Sequence, residues 1–104
     1  MSIFSYIFGS QGSEYSAVPH PLSEIEIRRI ISEESLPILN QDKVHIVENA
    51  IIKARRDSKI SLRTIYRTLV PLKNHVAEHE RITIEDRHKI MNLFSSYFTE
   101  HFSG

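Results

Sequence analysis

Apolar residues recur at helical spacing through most of this chain, and that periodicity constrains the fold more than any other feature. It is strongest from Ile84 to Phe102, where apolar side chains three and four residues apart cover about half of a helix surface. No stretch alternates apolar and polar residues over enough positions to indicate a sheet. The sequence therefore predicts an all-α protein, a small bundle of about four helices with an extended N-terminal arm.

Capping patterns predict where two of these helices begin. Ser23 followed by Glu26, and Thr83 followed by Asp86, have the three-residue spacing of a capping box. The box at Ser23 opens the first helix, and the box at Thr83 opens the last helix.

The second and third helices are predicted from single capping residues. Asp42 is the candidate N-cap of the second helix, which extends to about Arg56. Residues 56–59 read as a turn. Ser61 then caps the third helix, which Pro71 limits or kinks because proline has no N–H and clashes with the preceding turn.

The N-terminal region has a different character from the rest. Glycine, serine and proline are frequent between residues 9 and 21, and prolines on both sides of His20 disfavour a helix there. We therefore assign residues 1–22 to an arm or linker and residues 23–104 to one helical domain.

Composition excludes several classes of function. The 104 residues include 13 Lys+Arg and 13 Asp+Glu, so a uniformly basic nucleic-acid coat is excluded. The chain contains no cysteine, which excludes disulfides and thiol catalysis and leaves the redox compartment open. No run approaches the roughly 18 apolar residues of a membrane span. Because no phosphate loop or catalytic triad is recognisable either, we expect a non-enzymatic protein without a cofactor.

The charges are nevertheless unevenly distributed. Between Lys53 and Lys73 there are seven lysines and arginines and one aspartate, a net charge of +6 that the remaining residues balance. Four of these cations are predicted to form a ridge along the turn and the third helix: Arg56, Lys59, Arg63 and Arg67. Such a ridge suits an acidic protein partner or the phosphates of DNA. The alternative is a solvated face that neighbouring acidic helices neutralise.

The aromatic residues of the last helix predict a contact surface. They are Phe94, Tyr97, Phe98 and Phe102. Their apolar face is wider than one neighbouring helix requires, so this helix is either the centre of the bundle or half of a homodimer interface. Small helical domains often gain buried surface by pairing, and we therefore expect a homodimer through these four side chains.

The order of helix, short turn and helix also resembles a DNA-binding helix-turn-helix. The segment Ile60-Ser-Leu-Arg-Thr-Ile-Tyr-Arg-Thr-Leu69 is similar to the recognition helix of ferric-uptake-type winged-helix repressors. This resemblance implies a transcriptional regulator that binds DNA with helix 61–72, in which Arg63, Thr64 and Arg67 face the groove.

A broader resemblance covers residues 41–98. It is carried by Ile46-Val47, Ile51, Ile60-Ser61, Leu69, Leu72, Asp86-Arg-His-Lys-Ile90 and Leu93-Phe94. This succession resembles the small connector proteins of two-component signalling, the biofilm-development and acid-resistance regulators of the YmgB/AriR type. The resemblance implies a homodimeric, cytoplasmic, non-enzymatic regulator that binds a signalling protein or DNA.

One segment has the spacing of a metal site. His75-Val-Ala-Glu-His79 matches the inverted zincin pattern, in which two histidines one helical turn apart bind zinc and the glutamate activates water. A zinc-dependent hydrolase would use His75, Glu78 and His79, but a third ligand would have to come from the 25 residues that follow. We interpret the segment as a solvated connector and expect no metal.

Overall fold

The computed structural model describes residues 14–35, 39–74 and 77–102. Within these ranges the helices are α1 (Glu24–Ser35), α2 (Gln41–Ala54), α3 (Leu62–Leu69) and α4 (Ile84–Phe102). Two very short strands, β1 (His20–Pro21) and β2 (Lys59–Ile60), form an antiparallel pair. Two 3-10 turns, Val70–Asn74 and Glu78–Glu80, connect α3 to α4. The predicted all-α fold is confirmed.

Hydrogen bonds confirm three of the predicted helix starts. The Ser23 hydroxyl accepts from the Glu26 N–H at 3.0 Å, and the Glu26 carboxylate accepts from the Ser23 N–H at 3.0 Å. Thr83 and Asp86 form the same reciprocal pair, with both distances 3.1 Å. The hydroxyl of Ser61 caps α3.

The prediction for the start of α2 is wrong. Asn40 is the N-cap, because its Oδ1 accepts from the Lys43 N–H at 2.8 Å. Asp42 lies inside the first turn instead, where its negative charge interacts favourably with the helix dipole. The helix ends at Ala54, slightly before the predicted Arg56.

A tight turn follows α2. Arg56 and Lys59 exchange backbone hydrogen bonds of 2.9 Å in both directions. Asp57 and Ser58 between them have positive φ angles of 53° and 63°. Two consecutive positive φ angles are characteristic of a type I′ turn, whose twist matches that of antiparallel strands. The predicted turn is therefore confirmed, with β2 continuing directly from it.

The described part of the N-terminal arm, residues 14–22, packs against this turn and α3. β1 pairs with β2. The arm ends in Leu22, which is fully buried and donates its N–H to the Ser58 carbonyl at 3.0 Å. Residues 1–13, which complete the predicted arm, lie outside the described ranges. The sheet escaped prediction because a two-residue strand is too short to show an alternating pattern.

The core is centred on α4. This helix contacts α1 and α3, and its residues Ile90, Met91 and Phe94 are fully buried. The width of its apolar face is therefore explained by neighbours within the same chain. Within the described ranges, no helix combines the length and hydrophobicity that a transmembrane span requires.

Candidate functional site

Two of the predicted ridge residues lie in the turn between α2 and β2. Arg56 and Lys59 are both exposed, and both line a surface cleft of about 380 Å³. Ala17 and Pro19 of the arm also line this cleft, as does Thr64 from the first turn of α3. The cations of the turn therefore adjoin apolar surface supplied by the arm.

The other two ridge residues lie on α3 and differ in exposure. Arg67 is exposed, as predicted. Arg63 is half-buried: its Nε donates to the Tyr15 carbonyl at 3.2 Å, and its N–H donates to the Ser16 carbonyl at 3.1 Å. The expectation that both arginines point outward therefore needs correction for Arg63, which also anchors the arm. We name the surface formed by Arg56, Lys59, Arg63 and Arg67 the basic surface.

A further arginine lies beside the basic surface. Tyr66, one helical turn from Arg63, is flanked by two groups: the Tyr15 ring at 5.3 Å between centroids, and the Arg87 guanidinium carbon at 5.7 Å from the ring centroid. Arg87 comes from the first turn of α4 and is only 7% exposed. A cation over an aromatic face at this distance is a favourable contact.

The guanidinium of Arg87 is nevertheless poorly compensated. Its Nε and Nη1 are buried, and neither has a hydrogen-bond partner in the part of the chain that the structure describes. The adjacent carboxylate, Asp86, is bonded instead to the Lys43 ammonium at 2.8 Å and to Thr83. A buried, unpaired charge costs on the order of several kcal/mol, and a cation in the first turn of a helix also opposes the helix dipole.

Sequence reasoning missed Arg87, although a signal was present. Arg87 precedes Ile90, Met91 and Phe94 at helical spacing, so it falls on the apolar stripe of the last helix. An arginine on a buried stripe is rare unless it is paired, and its position alone marks it as a candidate for binding. Tyr66 was missed because its role depends on contacts with distant residues.

The four aromatic side chains predicted to form a homodimer interface mostly contact residues of their own chain. Phe94 and Phe98 are buried in the core by their own chain, which corrects their assignment to an interface. Tyr97 and Phe102 are half-buried. The His20 ring of the arm stacks on Phe102 with 4.4 Å between centroids, so even this partly exposed ring has an internal partner.

Tyr97 is also tied to α1. Its hydroxyl donates a hydrogen bond to the Glu26 carboxylate. Burial and this hydrogen bond raise the pKa of Tyr97 to about 12, and the bond from Tyr97 lowers the pKa of Glu26. Both groups line a second cleft, of about 330 Å³, together with Arg29 and Glu100. Because the charges there have both signs and its tyrosine is already paired, we do not assign this cleft as the site.

The zincin interpretation does not fit the described part of its motif. His75 lies outside the described ranges. Glu78 and His79 belong to a 3-10 turn of three residues, preceded by extended backbone at Ala77, and not to the α-helix that the motif requires. The His79 imidazole instead faces Asp42 on α2, at 3.1 Å.

The DNA-binding interpretation keeps some of its predicted features and loses others. The order α2, turn, α3 is present, and Ser61 caps α3. However, α3 ends at Leu69, short of the predicted helix 61–72, and Thr64 is half-buried beside Ser61. In the described part of the chain, no strand pair that would form a wing follows α3.

In comparisons with protein-family models, with curated proteins and with solved structures, the chain matched none. Both resemblances therefore rest on the residue patterns alone.

Proposed function

We propose that this chain is a small, non-enzymatic regulatory protein that binds an acidic protein partner through the basic surface, with Arg87 as a buried anchor. The observation that carries the proposal is the pair of buried Arg87 nitrogens, Nε and Nη1, that have no hydrogen-bond partner among the described residues. This guanidinium adds an uncompensated charge beside a surface that is already cationic, so the counter-charge is expected from a partner.

The chemistry of the surface favours carboxylates. The unbonded donors of Arg87 are buried, so a partner carboxylate would reach them only after the side chain rotates past Tyr66. It would then offer Arg87 two oxygen acceptors, and charge-assisted hydrogen bonds to arginine are stronger than neutral ones. Burial strengthens them further because little water competes there. The exposed cations Arg56, Lys59 and Arg67 would mainly accelerate and orient the encounter.

Two finer features belong to the same proposal. The resemblance to the connector proteins implies that the regulator is cytoplasmic and that it forms a homodimer. With Phe94 and Phe98 buried, pairing would have to use the surface that Tyr97 and Phe102 retain.

The experiment measures binding of a fluorescently labelled oligoglutamate peptide by anisotropy at low salt. We expect the double variant Lys59→Glu/Arg67→Glu to weaken binding at least about tenfold, a loss of about 1.4 kcal/mol, because two exposed cations become anions. Arg29→Glu/Lys89→Glu, which reverses two exposed cations on α1 and α4 and changes the net charge equally, is the matched control and should bind within about twofold of the unaltered protein. Equal losses for the double variant and the control would show only a dependence on net charge and would contradict the proposal.

Arg87→Met tests the anchor separately. Methionine keeps most of the apolar volume and removes the unpaired charge, so we expect weaker peptide binding together with an unchanged or higher free energy of unfolding. A structural arginine would behave in the opposite way: the variant would be destabilised and would bind normally. That result would remove Arg87 from the site.

DNA is the second candidate because α3 does follow a short turn and presents Arg67 on its surface. A labelled duplex in the same assay distinguishes the two partners. DNA binding should fall steeply as salt rises, because counterions are released from the phosphates. Binding of the duplex but not of the peptide would favour the DNA-binding function.

A further inference from the structure

A group of three potential metal ligands lies at the opposite end of α2 from the turn. Asp42 comes from the first turn of this helix, and His79 and Glu80 come from the 3-10 turn that precedes α4. One ligand atom from each of the three lies within 4.8 Å of the others.

The backbone that carries these side chains is held from two directions. The Asn40 side chain caps α2 through its Oδ1 and donates from its Nδ2 to the His79 carbonyl at 2.9 Å. Beyond the turn, the N–H of the fully buried Ile82 donates to the Leu72 carbonyl at 3.1 Å. The position of the His79 backbone relative to α2 is therefore set by the fold.

The distances are close to those of a first coordination shell. His79 Nε2 lies 3.1 Å from Asp42 Oδ2 and 3.9 Å from Glu80 Oε2. Donor atoms of a tetrahedral zinc ion, each about 2.1 Å from the metal, lie about 3.4 Å from one another. The carboxylate oxygens of Asp42 and Glu80 lie within 4.8 Å of each other, so the group would contract around a bound ion.

The charge of the group suits a divalent cation. With a neutral imidazole, the two carboxylates give the group two negative charges. The side chains of His79, Asp42 and Glu80 are 64%, 56% and 25% exposed, which leaves room for water as a further ligand.

We propose that Asp42, His79 and Glu80 bind a single zinc-type divalent transition-metal ion that fastens the 3-10 turn to α2. One imidazole and two carboxylates suit Zn²⁺, whereas Ca²⁺ takes six to eight oxygen ligands and Mg²⁺ requires octahedral geometry. The site shares only His79 with the zincin motif, and it is independent of the proposed partner surface. Its role is structural, because the metal would link two segments that are distant in sequence.

The test is isothermal titration calorimetry of the full chain with ZnCl₂ in a non-chelating buffer. We expect one Zn²⁺ per chain, a loss of that binding in His79→Ala, and at least about tenfold weaker binding in Asp42→Asn, which keeps the side-chain shape. Zn²⁺ should also raise the midpoint of thermal unfolding, because a ligand that binds the folded state stabilises it. That rise should be absent in His79→Ala.

The control is His88→Ala, which removes another exposed histidine, this one from α4. It should retain the zinc stoichiometry and the thermal shift of the unaltered protein. The proposal is overturned if Zn²⁺ does not bind, if His79→Ala and His88→Ala bind it equally, or if Mg²⁺ gives the same thermal shift at the same concentration. Circular dichroism of each variant verifies that the helices are intact, and Asp42→Asn keeps the test valid if His79→Ala is unfolded.

Discussion

A single asparagine, Asn40, links two segments of the fold through the two ends of its amide. Its oxygen caps α2 and its nitrogen binds the His79 carbonyl. From the sequence alone, Asp42 was an equally suitable cap, since aspartate and asparagine are similarly favoured there. The second hydrogen bond helps to select Asn40, and it comes from a residue 39 positions away. Caps whose partners are all local, such as that at Ser23, were predictable for the same reason.

Asp86 gives the clearest pH dependence at the scale of one residue. Burial raises the pKa of this carboxyl, but the hydrogen bonds from Lys43 and the Thr83 N–H outweigh that effect, so the pKa lies below its ordinary value. Because the folded-state pKa is lowered, the stabilisation is complete above the unfolded-state pKa of about 3.9 and is lost as the pH falls through the folded-state pKa.

We therefore expect the free energy of unfolding, measured with urea, to fall between pH 5 and pH 3 by less in Asp86→Asn than in the unaltered protein. At pH 7 the variant should be less stable by on the order of 2 kcal/mol, because it loses the charged hydrogen bond to Lys43. Glu85→Gln, a change at the exposed neighbouring position, should retain the original pH profile. Identical acid profiles for Asp86→Asn and the unaltered protein would rule out the assigned role of this carboxyl.

At the scale of elements, the turn between α2 and β2 has the geometry of a type I′ hairpin without the usual sequence. Asparagine and glycine are the residues that such turns favour, whereas Asp57 and Ser58 occupy the two positions here. Aspartate tolerates positive φ better than serine does. Ser58 is therefore the more strained residue of the pair.

Ser58→Gly should raise the free energy of unfolding by about 0.5 kcal/mol. Relief of the left-handed conformation is worth about 1–2 kcal/mol and is partly offset by the greater freedom of glycine in the unfolded chain. Ser96→Gly, at an exposed position inside α4, should instead lower stability by a similar amount, about 0.5 kcal/mol. Denaturant titration of the two variants gives opposite signs if the turn geometry is right, and a loss for both if it is not.

The ends of α3 show how far element boundaries follow from sequence. Ser61 caps its start, and Pro71 would clash with the Arg67 carbonyl if the helix continued, so both ends were marked locally. The chain does not stop turning there but continues as the 3-10 turn Val70–Asn74. The conformation after the proline depends on packing with distant residues. Here the Ile82 N–H donates to the Leu72 carbonyl, a contact that the local sequence does not predict.

At the scale of the whole molecule, the largest difference from the sequence analysis concerns the aromatic face of α4. Its width was visible in the sequence, but periodicity cannot distinguish a central helix from half of an interface, since both bury a broad apolar surface. The contacts of α4 with α1 and α3 decide in favour of the central helix. Similarly, the path of the arm depends on bonds such as that from Arg63 to Tyr15, which link residues far apart in the chain.

Phe94→Ala should lower the free energy of unfolding by about 3–5 kcal/mol, because it leaves a cavity at the centre of the core. The loss should be the same at low and high protein concentration, since Phe94 is buried by its own chain. Asn92→Ala, at an exposed position of the same helix, should change stability by less than about 0.5 kcal/mol. A loss for Phe94→Ala that shrinks as the protein is concentrated would indicate that a second copy shares in burying this ring.

Because the arm holds Arg63 in place, the basic surface cannot be transferred to another scaffold as one short segment. A synthetic peptide spanning residues 53–73 would contain all seven cations of that stretch but not Arg87, and it would lack the Tyr15 carbonyl that holds Arg63. Its α3 segment has only eight residues, too few to remain helical alone in water. The peptide would be a flexible polycation, and the spatial pattern of charge would be recovered only by grafting three separate parts of the chain together.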